Sequence, residues 1–280
     1  MGDCAPLDVD WIELARRDAI IGRKVVVFKS TGSTNDIAWA YAGNAAHHGV
    51  CVLAEEQTQG RGRRGRTWAS RPGESILCSI LLIDTAIEAE LLTLTAAVAT
   101  AEAVRDFCGV GAGIKWPNDV LVNGKKLAGI LVEKRTVKGR MCYVIGVGIN
   151  CNQEAEAFEG CELRTPATSG RIETGKSIDR TGLACAVMGA MEEWLGKAVV
   201  GTAHPTAAMA GKAHPPQNPV VRRWTQLSTL LGRHVTVECD NRIYRGYCRG
   251  VDPAEGLVVQ LESGAVRAFA AGHTSIVRGE

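Results

Sequence analysis

No apolar run in this sequence is long enough to cross a bilayer. The longest, Ala96 to Ala101 with its neighbours, is broken by threonines and followed by Glu102, well short of the ~20 residues a spanning helix needs. A membrane is therefore not expected as a partner. The start, Met1-Gly2-Asp3-Cys4, has neither a basic n-region nor an apolar h-region, so no secretory signal is expected and the chain reads as cytoplasmic. Charge of one sign is scarce as well: 32 Lys+Arg against 30 Asp+Glu leave +2, too little for a surface that traps nucleic acid as a whole. Any basic site has to be local. The 10 cysteines are scattered singly, with no CxxC pair, and there is no HExxH or clustered Cys/His spacing. That pattern excludes a disulfide framework and leaves no metal site to assign.

What is present is an ordinary globular composition, 46% hydrophobic and 22% charged over 280 residues, a length that suggests two unequal domains. Val25-Val26-Val27-Phe28 reads as a strand, and Ser33-Thr34-Asn35-Asp36 opens an amphipathic helix through Tyr41. Further strands are expected over 50–54 and 75–83, and a long Ala/Leu-rich helix over 88–107. Four more strand-like runs (114–116, 120–122, 127–133, 141–147) follow too closely for crossover helices, and Asn123-Gly124 is a hairpin signal. The expected fold is thus α+β, a mixed and largely antiparallel sheet flanked by helices, with a last helix over 180–195. Residues 196–219, rich in Gly, Ala, His and Pro, read as an irregular connection. Short alternating runs after Trp224 imply a small β-barrel, so the domains are placed at 1–222 and 223–280.

The most unusual segment is Gln57-Thr58-Gln59-Gly60-Arg61-Gly62-Arg63-Arg64-Gly65-Arg66-Thr67-Trp68. It contains G-x-G-x-x-G, but no helix is expected after the last glycine and no G-K-[ST] closes it, which excludes both dinucleotide and P-loop readings. Four arginines within six residues repel one another, so the loop is expected to be mobile without a ligand and to close on two or three oxyanions. Each charged hydrogen bond would contribute roughly 1.5–3 kcal/mol. Trp68 could stack on a base or on an arginine plane. Read alone, the loop also admits a solvated basic turn or an Arg-Gly contact to RNA.

In Lys115-Trp116-Pro117-Asn118-Asp119 and the following Lys126-Leu127-Ala128-Gly129, strand alternation puts Lys126 and Ala128 on one face, with small neighbours leaving room for a ligand beside the ammonium. Asp119 and Lys126 across the hairpin are equally readable as a surface ion pair. Gly146-Val147-Gly148-Ile149-Asn150-Cys151-Asn152 suits close backbone approach or a plain strand-end turn.

In this order and at these separations, Ser33-Thr34-Asn35, the glycine-arginine loop, the two hairpin motifs and Gly146 to Asn150 closely resemble a biotin protein ligase. The resemblance covers about 24–152, and the tail is similar to the SH3-like barrel of bacterial members. It implies a class II synthetase-like catalytic domain, with biotin and ATP as substrates and Mg²⁺ as cofactor. Biotinyl-5′-AMP would form first, followed by transfer to a lysine of a biotin carboxyl carrier protein. It further implies that Ser33, Thr34, Asn35, Gln57, Gly60, Arg61, Gly62, Arg63, Lys126 and Gly129 hold biotin. Arg63, Arg64, Arg66, Trp68, Asn118, Lys126 and Asn150 would enclose the adenylate. Arg63, Lys126 and Asp119 are the expected catalytic residues, Asp119 as a base or as a Mg²⁺ ligand. A lipoate or octanoate ligase of the same fold is the enzyme alternative, and an Arg-Gly-loop nucleic-acid binder the non-enzyme one. With a single helix expected over 8–19 before the first strand, neither a DNA-binding module nor operator binding is expected. Homodimerisation stays open, because an edge strand can pair or stay free.

Overall fold

The computed structural model describes residues 5–160, 164–201 and 218–279. A seven-stranded mixed sheet runs in the order β1-β2-β3-β7-β6-β5-β4. Its strands are β1 Val25–Phe28, β2 Cys51–Ala54, β3 Ser75–Ile83, β4 Ala112–Lys115, β5 Asp119–Val122, β6 Lys125–Val137 and β7 Arg140–Asn150. Only β1 and β2 are parallel, joined through helix α2 (Thr34–Tyr41); the other neighbours are antiparallel. The Asn123-Gly124 turn has both residues at positive φ (50° and 76°), the geometry that matches strand twist in a two-residue hairpin.

Every residue of β3 is buried, because helices cover both faces of the sheet. On one face, Ala38 and Trp39 of α2 and Ala42 just after it pack on Val52, Leu81 and Val144. The other face carries the main core, to which α1 (Val9–Ala15), α3 (Ala89–Cys108) and α5 (Arg180–Gly201) contribute. In α3 the alanines at 96, 97, 99 and 101 are fully buried, and these small side chains allow close helix–sheet approach. No disulfide joins any of the described cysteines, and no described helix is long and apolar enough to cross a membrane.

Two sequence expectations need correction. The irregular stretch over 196–219 is helical at its start: Met191, Trp194 and Ala198 continue one buried stripe past Gly196. The heart of that stretch, 202–217, lies outside the described residues. A helix the sequence reading missed, α6 (Pro219–Leu227), follows. Asn218 caps it by accepting from Val220 N at 2.9 Å, Pro219 takes the first turn, and Val220, Val221, Trp224 and Leu227 are buried at helical spacing. Arg223 pairs with Glu102 of α3 at 2.6 Å. The division drawn between 222 and 223 therefore falls inside a helix packed on the larger unit. α4 (Gly170–Thr174) is a short turn between β7 and α5.

Beyond α6, a second, five-stranded antiparallel sheet has the order β11-β10-β9-β8-β12. It comprises β8 His234–Cys239, β9 Arg242–Asp252, β10 Gly256–Leu261, β11 Val266–Phe269 and β12 Thr274–Gly279. Alternation along β8 buries Val235, Val237 and Cys239 and turns the intervening residues outward.

Candidate active site

The floor of the site is made of glycines. Gly129 on β6 lies opposite Gly148 on β7, and Leu131 opposite Gly146. A Cβ at Gly148 would fall 2.6 Å from Trp68 Cε2, one at Gly129 3.0 Å from Trp68 Cζ3, and one at Gly146 2.6 Å from Asn35 Oδ1. The missing side chains are thus what let the indole and the amide lie flat on the sheet. The expected Lys126–Ala128 face is corrected here. The register slips between Val120/Leu121 on β5 and their partners Ala128/Lys126, leaving Leu127 as an extra residue. That bulge turns Lys126 to the side of Gly129, whose Cβ would meet its ammonium at 3.1 Å, while Ala128 is buried in the core.

One wall is the start of α2. Ser33, Thr34 and Asn35 are buried, and Ser33 precedes the helix without a side-chain capping bond. Thr34 donates from its backbone N and its Oγ1 to Gln57 Oε1, at 2.7 and 2.9 Å. Ser79 Oγ lies 2.7 Å from Thr34 Oγ1 and 2.6 Å from Asn35 Oδ1. Asn35 Nδ2 has no partner among the described residues, a donor that an enclosed ligand acceptor would satisfy.

The glycine-arginine loop forms the roof. Trp68 N donates to Gly60 O at 2.9 Å, and a Cβ at Gly60 would lie 2.3 Å from the Trp68 carbonyl, so only glycine fits there. Arg64 takes φ 56°. The arginines are not all left to repel one another. Arg61 forks onto Asp36 at 2.6 and 2.8 Å and reaches Glu133 at 3.3 Å. This pairing holds the Asp36 carboxyl below its ordinary range, the hydrogen bond being the main cause. Arg63 instead meets neutral acceptors, Asn118 Oδ1 at 3.2 Å and the carbonyl of Ala271 at the edge of the second sheet. Burial pulls its pKa down from the usual guanidinium value.

Lys126 and Asp119 sit beside the floor, Nζ to Oδ1 2.6 Å, with Lys126 Nζ 5.6 Å from the Trp68 ring centre. The backbone of Lys126 is clamped by the segment after 163: its N donates to Pro166 O at 2.7 Å, and its O accepts from Thr168 N at 2.9 Å. Asn118 Nδ2 donates to Ile130 O at 2.8 Å, so one amide both ties the hairpin and orients Arg63. Asn150 Nδ2 is committed to Thr168 O at 3.0 Å.

These elements enclose a cavity of about 540 Å³, within the size of small-ligand sites. Of the residues expected from the sequence, Ser33, Thr34, Asn35, Gln57, Arg61, Gly62, Arg63, Arg64, Arg66, Trp68, Asn118, Asp119, Lys126, Gly129 and Asn150 line it. Gly60 does not, and acts under the Trp68 carbonyl instead. The sequence reading gave no role to Lys115, Ser79, Thr165 or Thr274. Lys115 was in view as the first residue of its motif, but only the fold brings Thr165 to it and Thr274 to the cavity.

A family model, the Biotin/lipoate A/B protein ligase family, matches residues 27–150. The chain is 30% identical over 263 residues to the bifunctional ligase/repressor BirA of Bacillus spizizenii, spanning 93% of this chain and 76% of that protein. It is also 30% identical over 217 residues to the biotin--[acetyl-CoA-carboxylase] ligase of Paracoccus denitrificans, 76% of this chain and 85% of that one. Among solved structures, the biotin protein ligase from Aquifex aeolicus in complex with biotin and ATP shares the fold. Its TM-score is 0.74 at 24% identity, over 92% of this chain and all of that one. With the glycine floor, the arginine roof and the Lys126–Asp119 pair assembled around one cavity, the chain belongs to the biotin protein ligase family.

Proposed function

We propose that this cavity activates biotin with ATP to biotinyl-5′-AMP and then passes the biotinyl group to a lysine of a biotin carboxyl carrier protein. The observation that carries the reading is the convergence of Arg63, Lys126 and Asp119 over a glycine-rich floor in one cavity. In the first step two anions, a carboxylate and a triphosphate, have to approach each other. Fixed cations that need no reorganisation lower that barrier most. Lys126, held from its backbone, meets the carboxylate and the α-phosphate, and Arg63 can exchange its neutral acceptors for phosphate oxygens. Ser33, Thr34, Asn35 and Gln57 supply directional polar contacts to the biotin ring system, and Trp68 covers the adenylate and keeps water from the mixed anhydride. Gly60, Arg61 and Gly62 shape the loop around the same ligand. Arg64, Arg66, Asn118 and Asn150 complete the adenylate's surroundings, and Gly129 leaves the space it needs.

Among the described residues no group of three or more His, Cys, Asp or Glu side chains could hold a metal ion. The donor set instead fits Mg²⁺ arriving with ATP, which is bound through one or two carboxylates plus substrate phosphates. Asp119, on the cavity wall, is the carboxylate suited to it, and the ion would neutralise phosphate charge. In the second step the acceptor lysine, with a pKa near 10.4 when free, has to lose a proton; taking that proton is the alternative role for Asp119.

The test is to mix the protein with biotin, Mg²⁺ and ATP, follow pyrophosphate, then add a carrier domain and weigh it by mass spectrometry. Biotin-dependent pyrophosphate release and a biotinylated carrier are expected. In a parallel reaction with lipoate replacing biotin, a lipoylated carrier with none biotinylated in the first would refute the substrate assignment. Lys126→Ala is expected to abolish most adenylation and Asp119→Ala to slow at least one half-reaction; wild-type rates in either variant would remove that residue from its role.

A further inference from the structure

Arg63 reaches the cavity from a loop of the main domain, yet one of its two hydrogen-bond partners belongs to the other sheet. That partner is the carbonyl of Ala271, first residue of the tight turn Ala271–His273 between β11 and β12. The same carbonyl accepts from Thr274 N, so the turn is closed from within. Its placement against the main domain needs a contact from outside. Glu90, in the first turn of α3, supplies one: Ala271 N donates to Glu90 Oε1 at 3.2 Å. Ala271 is buried and Glu90 half-buried, so the bond is partly shielded from water, and the N-terminal turn of a helix favours an acid. Burial pushes the Glu90 carboxyl up, while the Ala271 N–H and the charge of Arg63 pull the other way. Of the carboxylates that act on Arg63, Glu90 acts more strongly than Asp119. Arg63 lines the cavity and Glu90 does not, so Glu90 stands behind the cation and away from any substrate.

We propose that Glu90 is a positioning residue for adenylation: through the backbone of Ala271 it fixes the carbonyl that holds the Arg63 guanidinium ready at the cavity. The proposal rests on the adenylation reading given above. A guanidinium with neutral partners has no opposite charge beside it to set its direction, so the direction depends on where those partners are anchored. Asn118 is anchored within the main sheet by its bond to Ile130 O. The Ala271 carbonyl sits on a turn of the small sheet, and Glu90 ties that turn to α3. The chain of contacts is carboxylate, peptide N–H, carbonyl, guanidinium. Without an acceptor at position 90 the turn can shift and take Arg63 with it, and a misplacement of about 1 Å at a reacting centre costs up to about a hundredfold in rate. The second sheet thus enters the first half-reaction through one backbone turn, and a side chain outside the cavity decides how well a cation inside it is aimed.

The experiment uses the full chain with Glu90→Met, Glu90→Gln and Glu90→Asp, each made in the wild-type and in an Arg63→Ala background. Biotin-dependent pyrophosphate release gives kcat/KM for ATP. Glu90→Met keeps the length of the side chain without an acceptor, and kcat/KM should fall about tenfold or more, the loss of one charge-assisted contact. Glu90→Gln keeps an acceptor oxygen in place and should stay within about threefold of wild type. Glu90→Asp keeps the charge but withdraws the oxygen by one methylene, and should lose more than Glu90→Gln does. In the Arg63→Ala background each of the three should change the remaining rate by less than about twofold, because the group they position is gone. A wild-type rate in Glu90→Met overturns the proposal. So does the full loss repeated in the Arg63→Ala background, which is what a merely structural role would give. Activity kept by Asp and lost by Gln overturns it as well, since charge and not a held backbone would then matter; this comparison stays decisive if Glu90→Met does not fold. A wild-type protein that releases no biotin-dependent pyrophosphate overturns the adenylation reading instead, and that is seen before any variant is made.

Discussion

A methyl group at position 148 probes the floor of the cavity with the smallest possible change. In Gly148→Ala the new Cβ would stand 2.6 Å from Trp68 Cε2, 2.8 Å from Cζ2 and 3.0 Å from Cδ2. Carbon atoms in contact prefer about 3.5–4.0 Å, so the indole has to lift by about 1 Å. The backbone does not resist the change, since Gly148 is a strand residue with no positive φ. The indole is the part that gives: Trp68 belongs to a loop, is only half-buried, and its Nε1 has no partner to lose. Overpacking of this kind costs about 1–3 kcal/mol. Here the cost is expected in ligand binding more than in folding, because the displaced ring moves into the space above Lys126. That corresponds to roughly a 5- to 150-fold rise in KM for biotin or ATP, with the melting temperature changed by only a few degrees. Steady-state pyrophosphate release, with thermal melts alongside, measures both. Kinetic constants within twofold of wild type would show that the ligand does not use the glycine floor.

Two further predictions concern the frame around the site. Arg180, with its side chain 2% exposed, bonds Glu55 Oε2 at 2.6 Å and the carbonyls of Ala5 and Ser75, and Glu55 also accepts from Leu7 N at 2.7 Å. Arg180→Met strands a partly buried carboxylate and leaves two carbonyls without their donor, and should cost about 3 kcal/mol, a drop in melting temperature on the order of 10 °C; a loss under 3 °C would contradict it. The Asp36–Arg61 pair predicts a pH window. Because the folded Asp36 pKa lies below its unfolded value, its contribution is complete above about pH 4 and is lost only as pH falls through the lowered value. Denaturation of wild type and Asp36→Asn should therefore differ by a constant amount from pH 8 to 5 and converge below 4. A difference that titrates between pH 6 and 8 would assign the coupling to another group.

The strands of the main sheet were legible because their signals are local. Val25–Phe28 is a β-branched run, Ser75–Ile83 an uninterrupted apolar one, and Asn123-Gly124 a turn whose geometry follows from its residues. The candidate site residues were named for a different reason: each motif read alone left a bland alternative open, and only their order and separations together carried the resemblance that proposed them. Three features depended on more than local pattern. The bulge at Leu127 shifts Lys126 by one residue relative to simple alternation, and a period-2 reading has no way to see an inserted residue. Helix α6 carried its own signals in Asn218-Pro219 and the 220/221/224/227 stripe, but they stood at the end of a stretch whose glycines, histidines and prolines outweighed them. The meeting of Lys115 with Thr165, and of the cavity with Thr274, joins residues 50 or more positions apart, which only the folded chain brings together.

Arg61 and Arg63 look alike in the sequence and differ in what a ligand would have to take from them. For Arg61 to turn to an anion, its fork on Asp36 and its contact with Glu133 would have to break. One favourable pair would be exchanged for another, with little net gain at a site this exposed to water. Arg63 gives up only an amide oxygen and a peptide carbonyl. Burial has already removed part of its hydration, so an entering phosphate meets a cation that is under-compensated and oriented. Repulsion among four neighbouring arginines is therefore handled unevenly. The outer one is neutralised by acids on α2 and β6 and anchors the loop, while the inner one is left with neutral partners facing the cavity. A chain in which Asp36 and Glu133 were both neutral would free Arg61 to compete for the same anion, and the loop would lose the asymmetry that aims Arg63 at it.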